Sequence, residues 1–169
     1  MMIDIGEMKK RINTAQRNWL LPNDEQIVLA FTFMFSRMEY ALKEAGFLTS
    51  SDFVKADWER FAGELSEFLN ASDDETRDAI SYLERCPPER QVIRGRQLDW
   101  EEVNQEVSQD MGRAIKLFRS LRRIRNNLLH GGKMPFRPTR DIRLLQAGIS
   151  LMTASLAEHA AIREKFMKY

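Results

Sequence analysis

The sequence predicts an all-α fold, a single-domain helical bundle of about five to six helices over residues 1–169, and three observations predict it. Apolar residues recur at three- and four-residue intervals over long stretches, as one face of a helix requires. No alternating apolar/polar run is long enough to read as a strand. Residues that cap helices stand just ahead of several of these stretches, and Gly or Pro closes them. With 43% apolar residues, the chain has material for one hydrophobic core.

A short amphipathic stretch covers roughly 5–19. Asn23, with Gln26 three residues on, forms a capping pair for a long helix that ends at Gly46. Ile27, Phe31, Met34, Phe35, Met38 and Leu42 stripe its core face. A helix near 51–70 carries Phe53, Trp58, Phe61, Leu65 and Phe68 as its apolar residues. Ser72 with Glu75 makes an S-x-x-E box for a helix to about Arg85, which Pro87 and Pro88 stop. The segment "PPERQVIRGRQLD" at 87–99 has little periodicity and reads as the one substantial internal loop. Asp99 with Glu102 caps a helix over roughly 100–130, closed by Gly131 and Gly132. After the Pro-broken, basic "KMPFRPTR", a last helix runs from about Asp141 to the C-terminus.

Charge is balanced overall and uneven along the chain. Lys+Arg 26 against Asp+Glu 25 leaves a net +1. Residues 1–110 hold 13 basic and 22 acidic side chains, whereas residues 111–143 hold 10 basic ones and a single acid, Asp141. A basic strip beside an acidic remainder points to an anionic partner or a second copy of the chain. Charge compensation within the chain is the competing reading.

Cys86 is the only cysteine, so no intrachain disulfide is available, and one Cys with two His does not make an ordinary zinc site. No metal or cofactor is expected. "MMIDIGEMKK" lacks an apolar h-region and "VLAFTFMF" at 28–35 is too short to span a bilayer. The expected location is the cytoplasm, without membrane attachment.

The stretch "RNNLLHGGK" at 125–133 carries the chemistry. Measured from the centre of the stripe made by Ala114, Leu117, Phe118, Leu121, Ile124 and Leu128, Arg125 falls about 40° away and His130 about 180° away. Arg122, Asn126 and His130 therefore form an outer polar ridge, and Arg125 sits on the shoulder of the apolar face. A guanidinium there needs a partner, because an unpaired buried charge is costly. Glu39, about 80° from the stripe centre of the first long helix, is the candidate. A histidine at a helix end is placed to exchange protons near neutral pH; the competing reading is a cap facing the last carbonyls.

Other features carry less. No Gly-rich phosphate loop is present, and Ser120 has no evident base. Glu64 and Glu67 share a helix face that reads as solvated surface. His159 reads as a packed or surface helix residue, and Trp19, Trp58 and Trp100 are too scattered for a base-stacking platform.

The six residues "RNNLLH" resemble the R-x4-6-H motif of the HEPN superfamily, with a polar residue, Asn126, after the arginine. The setting is similar as well: a long helix ending in the motif, a glycine break, a final long helix, and an acidic residue on an earlier long helix in "RMEYALK". The resemblance covers approximately residues 23–169. It implies an all-α bundle that dimerises, bringing two motif copies into one basic cleft, and a metal-independent RNA endonuclease. Arg125 and His130 would be the catalytic pair, with Asn126 and Glu39 as supporting polar residues. Many HEPN proteins act in toxin–antitoxin, phage-defence or RNA-processing systems, which adds a cognate antitoxin to the expected partners; others have lost activity and bind nucleotides or partners.

The leading expectation is therefore a toxin-like or defence-associated ribonuclease working as a homodimer. Arg119, Arg122, Arg123, Lys133 and Arg137 are the candidates for contacting RNA. The alternative is a non-catalytic HEPN-like module that binds RNA, a nucleotide or a cognate protein. A purely structural helical protein would leave the basic strip and the shoulder arginine without a reason.

Overall fold

A computed structural model describes residues 24–49, 53–70, 73–103, 112–129 and 138–168. Among these the chain is mostly helical, with seven helices and one small two-stranded sheet. The helices are α1 (Asp24–Glu44), α2 (Trp58–Glu64), α3 (Ser66–Asn70), α4 (Asp74–Arg85), α5 (Arg113–Leu129), α6 (Pro138–Glu158) and α7 (Ala160–Met167). The strands are β1 (Arg90–Arg94) and β2 (Gln97–Glu101).

Helix α6 is the centre of the bundle. It packs on α1 and α4, α7 folds back on α1, and α2 lies along α5. One core joins them: Phe31, Met38 and Leu42 of α1, Phe61 of α2, Ile80 and Leu83 of α4, Leu117, Phe118 and Leu121 of α5, Leu145, Leu151 and Met152 of α6, and Ile162 of α7. Aromatic rings bind α1, α2 and α5: Phe35 stacks on Trp58 at 5.0 Å, and Phe61 meets Phe118 edge-on at 5.3 Å.

The expected end of α1 is present. Gly46 takes φ 83°, and the Phe47 amide donates to the Leu42 carbonyl at 2.9 Å while Gly46 donates to Lys43 at 3.1 Å. That bond pair is a Schellman closure, and the left-handed residue it needs favours glycine. It drops Phe47 straight into the core against Phe61. The pair Asn23–Gln26 and the stretch 5–19 lie outside the described residues.

Other boundaries differ from the sequence reading. The helix expected over 51–70 is two short helices. Asp57 caps the first by accepting from the Arg60 amide at 3.0 Å, and Phe53, given to the apolar face, is 74% exposed. Helix α4 is capped not by Ser72, which lies outside the described residues, but by Asp73, which accepts from Thr76 at 2.7 Å. That hydrogen bond, with the Arg77 charge, holds the Asp73 carboxyl below its ordinary range. The last helix begins at Pro138, where a proline suits the first turn. His159 breaks it from α7, and its Nδ1 accepts from the Ile162 amide at 3.4 Å.

The largest departure is at 87–101. The segment expected to be a loop is an antiparallel hairpin, with Arg90 opposite Glu101, Gln91 opposite Trp100, Val92 opposite Asp99, Ile93 opposite Leu98 and Arg94 opposite Gln97. Gly95, at φ 67°, opens its two-residue turn, as a type II′ hairpin turn requires. Asp99 is accordingly no helix cap. It pairs with Arg94 at 3.1 Å, and α5 starts at Arg113 rather than near 100.

One glycine is required by close approach. A Cβ on Gly148 of α6 would sit 2.7 Å from Phe31 Cε2 and 3.0 Å from Leu121 Cδ1, both in fully buried side chains. Gly148→Ala gains about 1 kcal/mol of helix propensity. Overpacking costs about 1–3 kcal/mol. We expect the clash to win because both neighbours are fully buried core side chains, so urea unfolding should show a net loss of ~1 kcal/mol. A more stable variant would mean that α1 and α6 part easily.

Candidate functional site

Near its end, α5 reaches α1 through a side chain, Arg125, and this contact builds the site. Arg125 Nη2 donates to Glu39 Oε2 at 3.2 Å, joining the two helices as their positions on the helical faces suggest. Glu39 also meets Lys43 at 3.4 Å through its other oxygen. The Arg125 guanidinium lies over the Phe35 ring, 5.2 Å from its centroid. Its Nη1 donates to Asn126 Oδ1 at 2.8 Å. Arg125 is thus held on three sides, with 29% of its side chain exposed, enough to leave it reachable from solvent.

Arg122 and Asn126 are exposed on the outer side of α5, and Asn127, the next residue, is buried. Beside that ridge is an open cleft of about 600 Å³ lined by Glu59, Arg90, Gln91, Arg119, Arg122, Arg123, Asn126 and Asn127. Three of the five expected RNA-contacting residues line it. The other two, Lys133 and Arg137, lie outside the described residues, as do His130, Gly131 and Gly132.

Much of the basic strip is compensated inside the chain. Arg119 pairs with Glu59 at 2.6 Å, Arg113 with Glu84 at 2.5 Å, and Arg125 with Glu39. Arg122 has no anionic partner among the described residues. Arg123 is half-buried and, among the described residues, donates to the Pro88 carbonyl at 3.3 Å. Burial pushes the Arg123 pKa down from its usual value, and the charges of Arg90 and Arg119 push the same way. It stays protonated at physiological pH, as arginine does.

A polar network that the sequence reading missed fixes the hairpin's base. Asn127 Nδ2 donates to the Glu89 carbonyl at 2.7 Å, and Arg140 Nη2 donates to the Pro87 carbonyl at 2.9 Å. Arg140 Nη1 lies 3.8 Å from both Glu89 and Asp141, two nearly buried carboxylates. The guanidinium beside them offsets the cost of burying the two carboxylates. The only signal in the sequence was Asp141 standing alone as an acid in a basic strip.

The rival residues behave as structure. Ser120 is buried, and Glu64 is drawn to Arg60 and to His159, whose Nε2 lies 3.2 Å away. Among the described residues no three His, Cys, Asp or Glu cluster to hold a metal, and no helix is long and apolar enough to cross a membrane. No family model, curated protein or solved structure matches the chain.

Proposed function

We propose that the chain is a HEPN-type, metal-independent RNA endonuclease that acts as a cytoplasmic homodimer, toxin-like or defence-associated, with a cognate antitoxin as a further partner. The observation that supports this reading is the Glu39–Arg125–Asn126 constellation that ties α1 to the end of α5, with Asn126 also lining a cleft that has a surplus of arginine. His130 follows the last residue of that helix directly.

RNA supplies its own nucleophile. The 2′-oxygen attacks the adjacent phosphorus, the bond to the 5′-oxygen breaks, and the products are a 2′,3′-cyclic phosphate and a 5′-hydroxyl. A base takes the 2′-OH proton and an acid returns one to the departing 5′-oxygen. His130 serves one role and the second copy's motif histidine the other, which gives dimerisation a chemical reason. Arg125 offers charge-assisted hydrogen bonds to the phosphorane.

Purified protein incubated with mixed RNA, with and without EDTA, tests this. We expect cleavage that EDTA leaves unchanged, with cyclic-phosphate ends. Ends bearing a 5′-phosphate, or loss of activity with EDTA, would replace 2′-OH attack by metal-assisted hydrolysis. The second reading, a non-catalytic module that binds RNA, a nucleotide or a cognate protein, is favoured by how fully Glu39 and Asn126 engage Arg125, as a structural lock would. RNA binding without any cleavage would select it.

A further inference from the structure

We propose that the cleft between α5 and the hairpin is a channel for the phosphodiester backbone of a single RNA strand, with Arg90 and Gln91 of β1 as its second wall. This deepens the nuclease reading and rests on it for the identity of the polymer.

Charge comes first. Four arginines and one carboxylate, Glu59, line the cleft. Glu59 is taken up by Arg119, and Arg90 is held by Glu101 at 2.6 Å. Arg122 and Arg123 remain without a carboxylate among the described residues. Arg123 is already disfavoured as a cation by its burial and its neighbours, so a phosphate entering the cleft relieves a repulsion the fold maintains at its own expense. Most other arginines of the strip have their acids, which makes this surplus local.

Size and surface chemistry favour one strand. A cleft of about 600 Å³ is on the scale of small-ligand sites, room for roughly one or two nucleotides at a time. Gln91 and Trp100 are directly opposed, so their side chains share one face of the hairpin. Ile93 and Leu98 continue that face, 74% and 70% exposed. Aromatic and apolar side chains next to a basic groove are what unpaired bases use, by stacking, while their phosphates track the cations. A duplex keeps its bases inside and has no use for that face. Asn126 then links channel to motif: its Oδ1 accepts from Arg125, and its amide donors have no partner among the described residues.

The test is fluorescence anisotropy with a fluorescein-labelled, single-stranded 2′-O-methyl oligoribonucleotide, which lacks the attacking hydroxyl and so reports binding apart from cleavage. Arg122 is exposed and has no anionic partner among the described residues, so Arg122→Glu should melt like the parent. We expect the variant to bind the probe at least about tenfold more weakly and with a salt slope shallower by about one or more. Arg77→Glu, the same charge change on α4 away from the cleft, should leave binding nearly unchanged. Equal binding by parent and Arg122→Glu would overturn the channel, and so would equal losses in the two variants. Binding of the duplex form as tight as the single strand would also overturn it. Displacement of the probe by micromolar ATP, itself dependent on Arg122, would assign the cleft to a free nucleotide instead. A parent that binds the probe through Arg122 yet cuts no RNA would sink the nuclease reading and leave the channel standing.

Discussion

His130→Ala is expected to lower the rate of RNA cleavage by ~10²–10⁴ while leaving binding of uncleavable RNA and the thermal unfolding curve close to those of the parent. The magnitude is that of a lost general acid or base. The selectivity follows from chemistry: a proton-transfer group acts on the transition state and adds little to ground-state affinity. The measurement is single-turnover cleavage of a labelled RNA, with the variant and parent purified side by side to exclude contaminating nuclease. Parental cleavage by the variant would remove His130 from the chemistry, and the binding-module reading would take over.

Arg125→Ala should lose activity and stability together. Its guanidinium joins α5 to α1 through Glu39, rests on Phe35 and fixes Asn126. Removing it leaves the Glu39 carboxylate, itself only 24% exposed, short of one partner. Lys43 stays on its other oxygen, so the cost is on the order of 1–2 kcal/mol rather than that of an orphaned buried charge. Glu39→Gln is the milder change. It keeps a hydrogen-bond acceptor for Arg125 but removes the charge that holds it, so stability and cleavage should both fall, each by less than in Arg125→Ala. Urea unfolding in parallel with cleavage assays decides the matter: an Arg125→Ala protein as stable as the parent would show that the α1–α5 pair is a surface contact only.

The parts of this fold that follow a helical period could be read from the letters. The stripe Phe31, Phe35, Met38 and Leu42 is buried, Gly46 ends its helix, and the angular positions of Glu39 and Arg125 sufficed to bring them together. Period arguments say nothing where burial has no period. The hairpin was missed because both of its faces are largely in solvent, so its five-residue strands never alternate between water and core; the two-residue turn opening on Gly95 was the available cue. The cleft needed that hairpin for a wall and was invisible without it. The contacts Asn127–Glu89 and Arg140–Pro87 join residues 38 and 53 positions apart, and adjacent asparagines with opposite fates, Asn126 in solvent and Asn127 buried, differ only in where one helical step points them. Short caps were misassigned by a residue or more because Ser72 and Asp73 are equally competent by type.

The hairpin also divides the molecule into two regimes of protection. A two-stranded sheet is marginal by itself, and this one is tied to the bundle by its first residues, through the carbonyls of Pro87, Pro88 and Glu89. Its tip at Gly95 has no such tether among the described residues. Amide hydrogen exchange should therefore grade along β1 and β2, slow near Arg90 and Glu101 and fast toward Arg94 and Gln97, by local openings that leave the slow-exchanging amides of α5 and α6 untouched. The hairpin residues that wall the cleft, Arg90 and Gln91, lie at the tethered end, so that wall keeps its place opposite the arginines of α5 while only the tip beyond the cleft breathes.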